Sequence, residues 1–328
     1  MSDKSNYIGA EFDESAFDDF DFPVSDNNPG STTLSEKEMK RYQRQIILDK
    51  WGVDNQKKLK NTTAFIGGAG GSGSPLINQL ALLGVGRLII CDFDEVELSN
   101  LNRQSLHDES RIGINKAVSA KMTVEKINPH IDVIVHTDMI GWDNAEELVG
   151  DADIIFDNVD DVETKFALSE VAVKKGIPHI LSSMMDINAY AVIFYPPHAP
   201  CLHCLYDRKK MEEIAELKEL TGHKKQPNPV SSPALFLSTG FACNEGLKIL
   251  LDIGQPAYNK YFLFNQKGGP EIAATDGHLM ITYPFSKHFK KISKEQGFDW
   301  NVGWRGNFVE ELDITPDPNC PVCSKERK

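Results

Sequence analysis

The run GGAGGSGS at residues 67–74 constrains this chain more than any other feature. It follows the apolar segment TAFI and precedes the apolar run PLINQLALLG. Glycine permits tight turns and close backbone approach that a Cβ forbids. A strand, a glycine turn and a helix in that order offer main-chain N–H groups and a helix N-terminus to a phosphate. Gly68, Gly70 and Gly73 fit G-x-G-x-x-G, with Gly71 in the same loop. Many loops satisfy that pattern, so its context carries the weight. Asp92 and Asp94 end the next apolar run. That is about 20 residues downstream, where a carboxylate grips ribose hydroxyls.

The rest of the chain alternates in kind. NTTAFIGG, RLIICDFDEV, IDVIVHTDMI and DADIIFDNVD read as strands, and PHILSSMMDINAYAVIFYP as a long strand or strand pair. GINKAVSAKMTVEKIN, ended by Pro129, reads as a helix, as do DNAEELVG and ETKFALSEVAVKKG. Upstream, Leu34 to Lys58 reads as helical, with Ser35 and Glu38 spaced as a capping box. Downstream, PALFLSTGFACNEGLKILLDIG reads as an apolar helix with Gly254 near its C-terminal end. Residues 258–318 read as short strands and loops, and no internal repeat is found. The predicted class is α/β: a mostly parallel sheet with helices on both faces.

Beyond the acidic strand end lie Asn100, Arg103, Gln104 and Lys116. Arginine forks onto phosphate oxygens and lysine supplies a point charge. Each alone is an ordinary surface residue. Together, at the carboxyl edge of the sheet, they suit a triphosphate under attack better than a passively held dinucleotide. Asp157, Asp160 and Asp161 end the fourth strand, on the same edge. A hard cation bridging phosphates needs one or two such oxygens. Capping of the next helix by Asp160 or Asp161 is an alternative compatible with that role.

Composition sets the limits. Among 328 residues, 35 are basic and 48 acidic, a net charge of −13. That balance argues against a nucleic-acid surface. No stretch of about 18 uncharged apolar residues predicts a membrane span, and no basic start with an apolar run predicts a signal peptide. The expected location is cytoplasmic. Residues 1–33 read as an acidic disordered tail: its first 30 hold eight acids against one base, interleaved with Phe12, Phe17, Phe20 and Phe22. A solvated tail is the plain reading, and phenylalanines docking on a partner the alternative. Of six cysteines, Cys201 and Cys204 form one C-x-x-C pair and Cys320 and Cys323 another. Four thiolates so paired suit tetrahedral zinc. Cys91 and Cys243 fall in apolar segments and are expected in the core.

RYQRQIIL, GGAGGSGS, GVGRLIICDFDEVELSNLNRQSLH, RIGINK and INPH together resemble the ThiF/MoeB/HesA family, the bacterial relatives of ubiquitin-activating enzymes. The resemblance spans about residues 34–254 and resumes at DPNCPVC. It implies a Rossmann-like adenylation domain over 34–328, working as a homodimer. Its nucleotide-binding part would be about 60–180 and its substrate and zinc part about 181–328. The C-terminal small-strand region would be stapled by the four cysteines and zinc. Such enzymes transfer AMP from ATP to the C-terminal carboxylate of a protein or peptide. By this resemblance Asp92 would bind ribose, and Arg103 and Lys116 the phosphates. Asn100 and Gln104 would support them, and Asp160 would hold Mg2+. Arg44 would cross to the partner's site as an arginine finger. No general base is needed, since a carboxylate is already ionised.

Three departures qualify the resemblance. The loop TGHKKQPNPVSSP contains no cysteine, so a covalent step on this chain is not expected. Met184, Met185 and Asp186 stand where relatives tend to have small residues. The two cysteine pairs are far apart, which points to an insertion at about 268–310; its FSKHFKKISKEQ reads as a solvated amphipathic face or a contact for an acidic partner. The tail ends soon after Cys323, so a fused sulfurtransferase domain is not expected. The leading function is adenylation of a ubiquitin-like sulfur carrier, the MoeB-like condition. The alternatives are adenylation of a short ribosomal peptide, as in microcin-type biosynthesis, and a non-catalytic nucleotide-binding module.

Overall fold

A computed structural model describes residues 33–185, 188–209, 211, 230–265 and 309–327. The acidic tail up to residue 32, the insertion from 268 to 308, Asp186 and most of the loop 221–233 lie outside the described residues.

Among the described residues the sheet has eight strands: β1 (Thr63–Gly67), β2 (Arg87–Cys91), β3 (Asp132–His136), β4 (Ile154–Asp157), β5 (His179–Met185), β6 (Asn188–Phe194), β7 (Lys260–Asn265) and β8 (Val309–Asp313). Their order is β3-β2-β1-β4-β5-β6-β7-β8. The first five are mutually parallel, as the alternation of strands and helices predicts. The last three run antiparallel, beginning with a hairpin that pairs Met185 with Asn188. In the expected C-terminal small-strand region, β7 and β8 extend the main sheet.

Period-two alternation splits the core into two layers. Ala64, Ile66, Leu88, Ile90, Ile154 and Phe156 face one side. There they meet α3 (Gly73–Leu83), α4 (Lys116–Ile127) and α8 (Ser232–Leu251). Phe65, Ile89 and Ile155 face the other, under α5 (Ala145–Val149) and α6 (Val162–Lys175). Cys91 and Cys243 lie in these cores as expected, and burial pushes each thiol up to about 12. Among described helices only α8 is long and apolar enough to cross a membrane, and it is a core helix packed on β5, β6 and α3.

One helix boundary differs from expectation. The single helix expected over Leu34 to Lys58 is two, α1 (Glu36–Ile46) and α2 (Gly52–Lys60). Lys50, between them, adopts positive φ, as does Gly52 at the start of α2, so one continuous helix cannot run through this point. The capping box at α1 is present: Ser35 Oγ accepts from Glu38 N, and Glu38 returns a bond to Ser35 N. At the end of α8, Asp252 is the left-handed cap, and Gly254 two residues on also has positive φ.

Candidate functional site

The parallel strands deliver their carboxyl ends to one edge, and the glycine loop leaves β1 there. Gly68 has φ +87°, and a Cβ on it would stand 2.9 Å from Asn158 O. A Cβ on Gly73 would stand 1.9 Å from Gly68 O. The turn itself therefore demands these two glycines. Gly70 is different: a Cβ there would meet only Gln104 Nε2, at 3.6 Å. Protein sterics do not require that glycine, whereas a phosphate approaching the backbone would. Gly71 lies between Leu235 of α8, at 3.0 Å from its virtual Cβ, and Arg103, at 3.5 Å.

Asp92 joins the loop to β2. Its Oδ2 accepts from Ala69 N at 2.7 Å and its Oδ1 from Asp94 N at 2.9 Å. Each carboxylate oxygen keeps a further lone pair for a ribose hydroxyl. Burial raises the Asp92 pKa, against those two backbone bonds and the Lys116 charge. Asp94 has another task. Its Oδ2 accepts from Lys116 Nζ at 2.7 Å, and its carbonyl accepts Lys116 N at 2.8 Å. Lys116 is the first residue of α4, and Asn115 caps that helix through Ala117 N and Val118 N. The lysine is therefore buried, charge-paired and held at a helix start beside the glycine loop.

Arg103 is half-buried and donates to Ser99 O at 2.9 Å and Asn102 Oδ1 at 3.0 Å, leaving guanidinium donors for phosphate oxygens. Gln104 is buried, and its Oε1 has no hydrogen-bond partner. Asn100 is buried and braces its own turn, its Oδ1 accepting Glu97 N at 3.1 Å. Its position is that of a scaffold for Arg103 and Gln104, whose N–H groups bond to Asn100 O.

The fourth strand end separates its three carboxylates. Asp157 is fully buried, which removes it from the edge where the sequence pattern put it. It accepts from His179 Nε2 at 3.1 Å and pairs with Lys165 Nζ at 3.4 Å. Burial alone would raise its pKa; Lys165 and His179 outweigh it and hold the carboxyl below its ordinary value. Asp161 caps α6 by accepting Thr164 N at 2.8 Å. Asp160 alone is exposed and available to a cation bound to phosphates.

Arg44 is not brought to this site by its own chain. It is exposed on the last turn of α1. Neighbouring α1 residues contact the far ends of α3 and α4: Gln45 donates to Leu83 O, and Arg41 to Ile127 O. The glycine loop and Lys116 lie at the opposite ends of those helices. An eleven-residue α3 is about 16 Å long, beyond the reach of an arginine side chain.

Residues without an expected role also line the edge. Asn158 touches the virtual Cβ of Gly68 and accepts from Ser182 Oγ at 2.8 Å. His107 reaches Ala69 O at 3.0 Å. No spacing rule flags these contacts, although the cap at Asn115 was readable from its place before an amphipathic helix.

The four paired cysteines meet. Cys201 Sγ is 3.9 Å from Cys204 Sγ and 3.5 Å from Cys320 Sγ, and Cys204 Sγ is 3.5 Å from Cys323 Sγ. All four are buried, with sulfurs within 4.8 Å of one another. Zinc at about 2.3 Å from each of four sulfurs sets them about 3.8 Å apart. The donor set therefore fits a closed structural zinc, which would join the loop after β6 to the segment after β8.

The pattern that defines the ThiF family matches residues 42–274. The chain is 34% identical over 247 residues to the Kluyveromyces lactis protein named adenylyltransferase and sulfurtransferase UBA4, covering 75% of this chain and 54% of that protein. To the Drosophila yakuba adenylyltransferase and sulfurtransferase MOCS3 it is 38% identical over 175 residues, covering 53% of this chain and 39% of that protein. These matches span only about half or less of those relatives. Among solved structures, E. coli MccB with MccA-N7isoASN superposes at a TM-score of 0.66 with 21% identity, covering 90% of this chain and 76% of that one. Likeness at that identity speaks for the fold alone. Selenomethionine PaaA superposes at a TM-score of 0.61 with 28% identity, covering 74% of this chain and 75% of that one.

Proposed function

The chain belongs to the ThiF family, and from that premise we propose that it is an ATP-dependent adenylyltransferase acting on the C-terminal carboxylate of a ubiquitin-like sulfur carrier. One observation carries the reading: the glycine loop, Asp92, Arg103 and the Asp94-paired Lys116 converge on one sheet edge. The names of the yeast and fly relatives, which join adenylyl transfer to sulfur transfer, support the substrate class.

In this reading Asp92 holds the ribose and the loop N–H groups hold phosphate oxygens. A carboxylate oxygen of the carrier attacks the α-phosphorus, the bond to the β-phosphate oxygen breaks, and pyrophosphate leaves with the acyl-adenylate formed. Both reactants are anionic, so the work is placement and charge neutralisation. Lys116 and Arg103 stabilise the departing charge. Asp160 holds Mg2+, which when bound neutralises phosphate charge. The four cysteines hold zinc as a structural group. The nucleotide-binding part is about 60–180 and the substrate and zinc part about 181–328.

The protein acts as a homodimer in which Arg44 serves its partner's site, a role supported by its distance from the site of its own chain. Mixing Arg44→Ala with Asp160→Ala chains should then restore part of the activity, because one site per mixed dimer is complete. Verified mixed dimers without activity would remove Arg44 from the mechanism.

The deciding experiment is ATP–pyrophosphate exchange with Mg2+, with and without carriers ending in Gly-Gly. Exchange that needs an intact carrier tail is the expected result. Exchange driven only by short peptides would move the substrate to the peptide class. ATP binding without exchange on any carboxylate would leave a nucleotide-binding module.

A further inference from the structure

Ala69, between Gly68 and Gly70, is held by both of its main-chain groups, one in each of its flanking peptides. Its N–H donates to Asp92 Oδ2 at 2.7 Å. Its carbonyl accepts from Ser74 Oγ at 2.9 Å and lies 3.0 Å from His107 Nε2. A carbonyl only accepts, so His107 must carry its hydrogen on Nε2. The other ring nitrogen is compatible with that tautomer. His107 Nδ1 is 2.9 Å from Ser119 Oγ, and Ser119 Oγ accepts from Arg111 Nη1 at 3.2 Å. A guanidinium only donates, so the single hydroxyl hydrogen of Ser119 is free to go to Nδ1.

We propose that His107 is a positioning residue for the nucleotide loop: a directed hydrogen-bond chain from Arg111 through Ser119 and His107 to Ala69 O fixes the residue whose N–H holds Asp92. The inference rests on reading this loop as the ATP site. Each donor in the chain polarises the next, and all its members are buried. Arg111 is anchored in turn by Leu106 O at 3.1 Å and Ser119 O at 2.6 Å. One residue thus couples the ribose carboxylate to the phosphate loop. Removing His107 frees the Ala69–Gly70 peptide while leaving Arg103 and Lys116 in place, so it acts on ATP binding more than on turnover.

The test uses the full chain with three readouts: ring 15N shifts of His107, amide hydrogen exchange over residues 68–74, and the Kd for ATP. The wild type is expected to show the neutral Nε2–H tautomer at neutral pH. His107→Phe keeps the ring and loses both nitrogens; it should exchange faster in the loop and bind ATP about tenfold more weakly. Its rate at saturating ATP should stay within about twofold of wild type, since one uncharged hydrogen bond outside the reacting atoms is lost. His107→Gln restores a donor near Nε2 and should recover loop protection and most of the affinity.

Wild-type loop protection in His107→Phe would overturn the proposal, as would a His107→Gln chain as defective as His107→Phe. An Nδ1–H or doubly protonated ring in the wild type would overturn it even if His107→Phe failed to fold. A wild type that binds no ATP would sink the reading of the site, while the tautomer and exchange results would still decide the role of His107.

Discussion

The parallel and antiparallel halves of the sheet are closed by different means. Around β1, β2 and β4, peptide and side-chain bonds fasten each turn: Asp92 to Ala69 N, Asn115 to Asp92 O, Lys116 to Asp94. Beyond β6, the closing contacts join cysteines 119 positions apart. The first three bonds close 22 or 23 positions and the cysteine contacts 119, so the second closure costs more entropy, though the cost grows slowly with length. A nucleotide site needs sub-ångström placement, which many short bonds provide. The antiparallel half has instead a four-cysteine cluster that could hold one metal.

The largest effect should come from the link. Chelation of the metal, or Cys204→Ser, should take zinc content from one ion per chain to none. Structural zinc binds with about 10–16 kcal/mol at neutral pH, so loss should lower the unfolding temperature more than any other change. Protease cleavage should begin in the β7–β8 half and spare β1 to β4. Cleavage beginning in the parallel half would break the contrast.

Next comes the buried charge beneath the parallel half. Asp157→Asn leaves Lys165 without its full partner and should cost about 3–5 kcal/mol in urea unfolding. The pH dependence has a definite sign. The folded pKa of Asp157 lies below its ordinary value. Its contribution is therefore present above about pH 3.9, the unfolded value, and is lost as pH falls through the lower folded value. The Asn variant should lose that part of the acid dependence.

Lys116→Ala should reduce pyrophosphate exchange by about 10²- to 10³-fold with little change in unfolding. Wild-type exchange by this variant would remove the lysine from the chemistry. The smallest effect sharpens the contrast within one loop. Gly73→Ala meets a backbone oxygen and should destabilise by about 1–3 kcal/mol. Gly70→Ala has room in the protein and should leave stability within about 0.5 kcal/mol. It should nonetheless weaken ATP binding about tenfold, read by calorimetry. Equal unfolding costs for the two would refute the division of labour between these glycines.

Much of the parallel half was legible beforehand. Its strands read as continuous apolar runs because they are buried on two faces, and its glycine loop stands between strand and helix. The break after α1 was less legible, since Gly52 is a weak stop signal and Lys50 at positive φ is no signal at all. Asp157 and Asp160 look alike in sequence, three residues apart at one strand end. His179 from β5 and Lys165 from α6 bury the first and leave the second exposed. Asp94 resembled a ribose ligand by its spacing, and its carboxylate is taken by Lys116.

The sequence by itself determined the strand and helix alternation, the phosphate-ready turn and the pairing of cysteines, because these depend on local backbone freedom and short spacing. Only the tertiary structure decided which carboxylate keeps free oxygens, which way the His107 ring carries its proton, and that the distant cysteine pairs meet. Those depend on burial and on partners brought from elsewhere in the chain, and the charge or proton a side chain carries follows from the groups that surround it.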